Sequence, residues 1–330
     1  MSRQILLAHG GGGRLMRELV EGGIVPALGK GVLERLEDSA VVGEGIVVTT
    51  DSYVVKPLFF PGGDIGRLAV SGTVNDLAVT GGKPLYLTFA LIIEEGFEVE
   101  ALERIVASVR QTADEAGAEI VTGDTKVVER GAADGLFINT AGVGRLLRRF
   151  DIGSVRPGDK VIVNGPIGEH GLAVMSLRAN LGFEGELKSD AAPLFGMVEP
   201  LLRSGLDIRF MRDPTRGGVA ACLNELAQGA GVGVVLQEES LPVTAPVRAA
   251  CELLGLDPLY AANEGKVIVV ASADCADEVV RILALSPYGR AARIIGEVVE
   301  DAQKLVILRT RIGGERIVDM PYGEELPRIC

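Results

Sequence analysis

Four aspartates carry the first chemical signal in this sequence. Asp38 follows Glu37 ahead of Val41-Val42, and Asp51 closes the β-branched run Ile46-Val47-Val48-Thr49-Thr50. Asp76 lies in Val74-Asn75-Asp76-Leu77, inside a stretch whose pattern predicts a helix over 66–80. Asp124 follows the strand-like Ile120-Val121-Thr122 and precedes Thr125-Lys126. Turns and helix caps recruit Asp, so each residue alone reads as an ordinary cap or turn residue. Together they suggest a metal. Converging carboxylates repel one another unless a cation lies between them, and Mg²⁺ takes oxygen ligands from a few carboxylates and from substrate phosphates. Asn75 points the same way, because Asn and Asp inside an apolar helix are costly unless something binds them.

A phosphate cradle is also legible. In His9-Gly10-Gly11-Gly12-Gly13-Arg14, consecutive glycines allow main-chain N–H groups to converge on an anion and lead into a helix carrying Met16, Leu19 and Val20. No Gly-Lys-Ser/Thr follows, so this is not a Walker A loop. His9 is either a phosphate contact or simply solvated. With few side chains to pin it, the loop is expected to be mobile until nucleotide binds. Glycine loop and carboxylates together point to ATP with Mg²⁺.

The elements that must position these groups mix strands and helices. Val99, Leu102, Ile105, Val106, Val109, Ala113 and Ala116 form one stripe at helical spacing over 98–116. Leu85–Ile93 is a near-continuous apolar strand, and another runs from Phe137 to Gly144. The turn Arg156-Pro157-Gly158-Asp159 opens a second half. There Val161–Val163 leads to Asn164-Gly165-Pro166 and His170, Asp213-Pro214-Thr215-Arg216-Gly217-Gly218 precedes a helix, and Asn263-Glu264-Gly265-Lys266 precedes a strand. An α+β fold of two related domains is expected: 1–150, 151–308, and a C-terminal tail over 309–330.

Composition narrows the function. Of 330 residues, 47% are apolar and 24% charged, enough to bury a large core. The net charge of −12 argues against nucleic acid or an anionic membrane as partner. No apolar stretch approaches the ~20 residues of a membrane span. Ile5–Ala8 is too short for a secretory signal. A cytoplasmic location is expected. The cysteines at 222, 251, 275 and 330 show no CxxC spacing, which disfavours zinc or a disulfide framework. Cys222 and Cys251 read as core. Cys330 closes the run Pro327-Arg328-Ile329-Cys330, beyond the helix breakers Pro321 and Gly323. Such an arm can reach outward or fold back into a cleft.

The stretches HGGGGRLM, TTDSYVV, GTVNDLAVTGGKP, TGDTKVV, GDKVIVNGPIGEHGLAVMS, DPTRGGVA, NEGKV and PRIC resemble the hydrogenase maturation family HypE, in the same order along essentially the whole chain. HypE belongs with aminoimidazole ribonucleotide (AIR) synthetase and selenophosphate synthetase, and the terminal PRIC separates it from those relatives. The resemblance implies a PurM-like fold and a homodimer pairing N-terminal sheets, with ATP near that interface. It implies that a carbamoyltransferase, HypF, loads Cys330. The S-carboxamide is then dehydrated with ATP to a thiocyanate, whose cyano group passes to iron on a HypC–HypD complex. By the same resemblance Glu264 is the base and Lys126 assists or steadies the transferring phosphate. Thr125 and Asp213 join His9, Gly10, Gly11, Gly12, Gly13 and Asn75 as nucleotide contacts, with His170 a further candidate. The competing readings are a carbamoyl carrier that uses ATP only as a switch, and another synthetase of the superfamily.

Overall fold

The β-branched runs fold into two large sheets, one from each half of the chain. A computed structural model describes residues 4–29, 31–183, 187–323 and 328–330. Pro327 of the terminal motif thus lies outside the described residues. The chain opens with α1 (Arg14–Leu19) and α2 (Val25–Leu28), joined by a π-helical turn. The first sheet then takes β1 (Ala40–Val42) and β2 (Ile46–Tyr53). A short ribbon, β3 (Phe59–Phe60) with β4 (Gly63–Asp64), leads into α3 (Ile65–Val79). β5 (Gly82–Glu94), α4 (Val99–Ala116), β6 (Glu119–Val128) and β7 (Leu136–Leu146) complete the half. The strand order is β1-β2-β7-β5-β6, with only β5 and β6 parallel.

Helix α3 is apolar nearly all round because it is buried nearly all round, between the first sheet, α4 and the second half. Asp64 caps it, accepting from Gly66 N at 2.8 Å and Arg67 N at 3.0 Å. On α4 the stripe buries Ile105, Val109, Ala113 and Ala116 but leaves Val99 and Val106 exposed.

β6 is longer than its apolar core predicts. Residues 123–126, which follow the strand-like 120–122, continue the strand. Thr122, Thr125, Val127 and Val128 favour extended backbone. Gly123 permits close pairing with β5, since a Cβ there would stand 2.1 Å from the Phe89 carbonyl oxygen. β6 is the sheet's edge and faces solvent along most of its length.

The second half adds β8 (Lys160–Val163), α5 (Glu169–Ala179), α6 (Phe195–Arg203), β9 (Ile208–Arg212), α7 (Gly218–Ala230), β10 (Gly233–Gln237) and α8 (Ala245–Leu254). β11 (Ile268–Ala271), α9 (Ala276–Ala284), β12 (Arg293–Val299), β13 (Val306–Arg309) and β14 (Glu315–Ile317) follow. The strand order is β14-β13-β10-β12-β8-β11-β9. The tail therefore begins later than expected from 309: β13 and β14 form a hairpin, with Ile307 opposite Ile317, that extends the second sheet. Among the described residues of the tail, only 318–323 and 328–330 are irregular.

One apolar core crosses between the halves, joining Leu68 and Val74 of α3 to Leu194, Leu201 and Ala261. Among the described residues no helix is long and apolar enough to cross a membrane.

Candidate functional site

Where the two sheets meet, residues far apart in sequence bring carboxylates together. Asp38 precedes β1, Asp51 lies in β2, Asp76 in α3, and Asp213 in the loop after β9. Thr49 Oγ1 sits 2.8 Å from Asp76 Oδ2 and 3.0 Å from the Asp38 carbonyl. Burial, then Asp38 and Asp51, push the Asp213 carboxyl up to about 8. Burial, then Asp213, Asp38 and Asp51, push Asp76 well above the usual carboxylate range. Arg212 compensates part of this charge, with Nε 3.1 Å from Asp38 Oδ2 and Nη1 on Glu225. Among the described residues no three Asp, Glu, His or Cys side chains already stand in a metal-ligating arrangement.

Beside these carboxylates lies Glu264. It is 3% exposed, and its Oε1 is buried without a hydrogen-bond partner. Burial, then Asp213, Asp190 and Asp51, raise its pKa strongly, while Arg216 opposes the rise. Cys330, Asp51, Glu264 and Tyr53 lie within electrostatic range of Arg216, and Cys330 is the strongest influence holding its guanidinium charged. The described end of the tail is folded inward: Val54 N donates to the Cys330 carbonyl at 3.0 Å. Asp38, Asp51, Asp76, Asp213 and Glu264 thus gather within reach of one another's charge, and Arg216 links Asp51 and Glu264 to Cys330.

The loop carrying Glu264 is fixed from beneath. Asp190 accepts from Glu264 N at 3.1 Å and Gly265 N at 3.2 Å, and Lys266 Nζ lies 2.8 Å from Asp190 Oδ2. Asn75 serves the same loop rather than a ligand. Its amide donates to the Ala192 and Glu264 carbonyls and its oxygen accepts from Leu194 N at 2.7 Å. The helix Asn that was costly in isolation is satisfied by the main chain of the other half.

Other expected residues stand apart. Asp124 and Lys126 pair with each other on exposed β6, and Thr125 lies between them. Across the sheet Asp51 is opposite Thr140, Thr140 opposite Phe89, and Phe89 opposite Gly123. Three strand spacings separate the ends of that row, about 14 Å. Asp124 is thus mid-strand on the far edge, not at a strand end facing the other aspartates. His9 is occupied locally, accepting at Nδ1 from Leu6 N at 3.0 Å. His170 is fully buried in α5 and touches the tail.

The glycine loop is held rather than loose. Arg14 N donates to the Pro321 carbonyl at 2.8 Å and Leu15 N to the Tyr322 carbonyl at 3.2 Å. Gly12 has φ +76°, and a Cβ there would lie 2.7 Å from Arg216 Cβ; one on Gly13 would lie 2.2 Å from the Pro321 oxygen. Gly10 has open space. Gly12 and Gly13 border a cavity of 860 Å³ that also reaches Asp38, Phe150 and Arg212, a volume in the range of small-molecule sites.

Sequence reasoning missed Arg212, Arg216 and the Asp190–Lys266 pair. Arg216 and Lys266 lie inside motifs already singled out. Asp190 gave no signal, being 74 residues from the Glu264 N–H it accepts.

The AIR synthase related protein N-terminal domain matches residues 36–146, and the C-terminal domain of the same family matches 156–308. The carbamoyl dehydratase HypE of Cupriavidus necator is 49% identical, over 100% of this chain and 95% of that protein. The chain belongs to the HypE family. Two solved structures share its fold. A HypE–HypF complex gives a TM-score of 0.88 at 50% identity, covering 92% of this chain and 99% of the other. HypE bound to ATP gives 0.84 at 43%, covering 99% and 100%.

Proposed function

We propose that this chain is an ATP-dependent carbamoyl dehydratase whose substrate is its own Cys330, carrying a carboxamide on sulfur. The observation that carries this reading is the inward position of Cys330, bonded to Val54 and within electrostatic range of Arg216, which also answers to Glu264 and Asp51. A name of carbamoyl dehydratase among relatives, a HypE structure with ATP and another with HypF support it.

The chemistry must turn an amide oxygen into a leaving group. The carboxamide oxygen attacks the γ-phosphorus of ATP and ADP departs. One N–H proton is lost as the O-phosphoryl imidate forms. Loss of the second as the C–O bond breaks gives S–C≡N and phosphate. Glu264, once ionised, accepts these protons. The same neighbours that hold its proton make its ionised form a strong base. Arg216 faces the sulfur-bearing residue and balances charge on the phosphoryl group. The cavity beside Gly12 and Gly13 has room for a nucleoside and is lined by Asp38 of the carboxylate cluster.

Mg²⁺ fits this donor set, because Asp51, Asp76 and Asp213 repel one another and Glu264 keeps an unsatisfied buried oxygen. Asp51, Asp76 and Asp213 would hold it, with Asp38 committed to Arg212. When bound, the ion offsets phosphate charge. Asp124, Thr125 and Lys126 enter only in a homodimer whose β6 edges meet, which would also cover exposed Val121 and Val127. A HypF carbamoyltransferase loads Cys330, and a HypC–HypD complex takes the cyano group for hydrogenase iron.

Intact mass tests the reading. The protein carbamoylated by its transferase should lose one water on addition of Mg²⁺–ATP, and Glu264→Gln should retain the carboxamide mass. An unchanged mass in the wild-type protein, with ATP hydrolysed or not, would make the chain a carrier.

A further inference from the structure

Residues 328–330 do not merely lie in the cleft. Val54 N donates to the Cys330 carbonyl at 3.0 Å and Lys56 N to the Arg328 carbonyl at 3.3 Å, so the tail runs antiparallel beside the chain that leaves β2. Arg328 is read twice. Nη1 lies 2.6 Å from Asp134 Oδ2, and Nε donates to the Val54 carbonyl at 3.1 Å. Lys56 shares Asp134, at 2.8 Å. The Ile329 side chain is 2% exposed, packed in the main core. Arg178 donates to the carbonyls of both Arg328 and Lys56, clamping the two strands together.

His170 completes the groove. Ser189 Oγ accepts from Ala191 N at 3.1 Å, so its own O–H is left to donate to His170 Nδ1 at 2.8 Å. That fixes the proton on Nε2, which donates to the Ile329 carbonyl at 2.9 Å. Burial lowers the imidazole pKa, in keeping with a neutral ring. Arg328 also adopts φ +53°, a left-handed conformation that a non-glycine residue holds only where its surroundings enforce it.

We propose that this groove is a sequence-reading dock for Arg-Ile-Cys, in which Asp134 and His170 are positioning residues that set the register at which Cys330 meets Arg216 and Glu264. A tether alone would need none of these contacts. Asp134 selects a cation two residues before the cysteine, the core takes an aliphatic side chain next to it, and His170 fixes the carbonyl between them. The catalytic value of that register rests on the dehydratase reading above, but the dock does not.

The test therefore reads thiol protection rather than activity. The full-length protein without nucleotide is treated with iodoacetamide, and alkylation of Cys330 is followed by mass spectrometry of its peptide, apart from buried Cys222, Cys251 and Cys275. Asp134→Arg and Arg328→Asp should each speed alkylation by roughly fivefold, the scale of a partly exposed ion pair. The double variant Asp134→Arg/Arg328→Asp should return toward the wild-type rate. His170→Phe should speed alkylation and His170→Gln, which keeps a donor, should do so less. A melting curve for each variant separates undocking from unfolding. Wild-type rates in both single charge variants, or a double variant no slower than either single, would overturn the dock.

Discussion

Two groups of buried carboxylates in this molecule share a low-exposure setting and differ in what faces them. Burial alone would raise Asp190. Lys266 and the N–H groups of Glu264 and Gly265 outweigh it, and the carboxyl is held below its usual range. Asp213 and Glu264 are buried too and Asp76 is half-buried, but they lie within reach of one another's charge and of Asp51, and all three are raised. The first group is complete within the chain and does structural work. The second is left with carboxyls that cannot all ionise together and with an unpartnered oxygen, the condition expected where a cation and a phosphorylated ligand supply what is missing.

The sharpest way to break this contrast is to strip the compensated group of its cation. Lys266→Met leaves Asp190 charged with only two main-chain donors, which should cost about 3–5 kcal/mol in chemical denaturation. Denaturation like the wild type would mean that Asp190 does not depend on Lys266. Gly12→Ala comes next. Its Cβ meets Arg216 Cβ and carbonyl at 2.7 and 2.8 Å with φ +76°, so about 1–2 kcal/mol of stability should be lost. Tighter nucleotide binding in that variant would show that Arg216 plays no part in the site.

Asp213→Asn should do the opposite of Lys266→Met. Removing one of several repelling carboxylates should stabilise the ligand-free protein by about 1 kcal/mol while ATP turnover falls severely, the usual trade at a strained site. Loss of stability in this variant would place Asp213 with Asp190. The smallest effect is a pH slope. Asp213 binds its proton more tightly in the folded chain, at about 8 against 3.8. The folded state therefore holds extra protons between those values, and stability falls as pH rises through them. Melting temperature of the ligand-free protein should drop by a few degrees from pH 5.5 to about 8, and the drop should shrink with Mg²⁺–ATP present.

Much of the fold was legible. The apolar runs marked the five strands of the first sheet and β8 and β11 of the second, and the helical stripe marked α4. The elements that went astray were those decided by partners. β6 runs on through Asp124 because β5 pairs with it, and residues 309–317 join the second sheet because Val306–Arg309 finds β10. In the site, Asp51 and Asp76 announced themselves as carboxylates at the end of, or inside, apolar runs, whereas Glu264 came only from the family resemblance. Asn75 gave the same signal for a different reason, since its partners are carbonyls in the other half. Asp190 and Asp134 were invisible. Each is an ordinary loop aspartate until folding places Lys266 or Arg328 against it.

Proton counting during ligand binding tests the central claim most directly. Binding of Mg²⁺–ATP is measured by titration calorimetry at pH 7.5, in buffers of different ionisation enthalpy. If Asp213 and its neighbours hold protons until a cation arrives, binding should release protons to the buffer, and Asp213→Asn should release fewer. Heats that do not vary with the buffer, or equal release from the variant, would show that the cluster is already charge-balanced and that the ligand binds elsewhere.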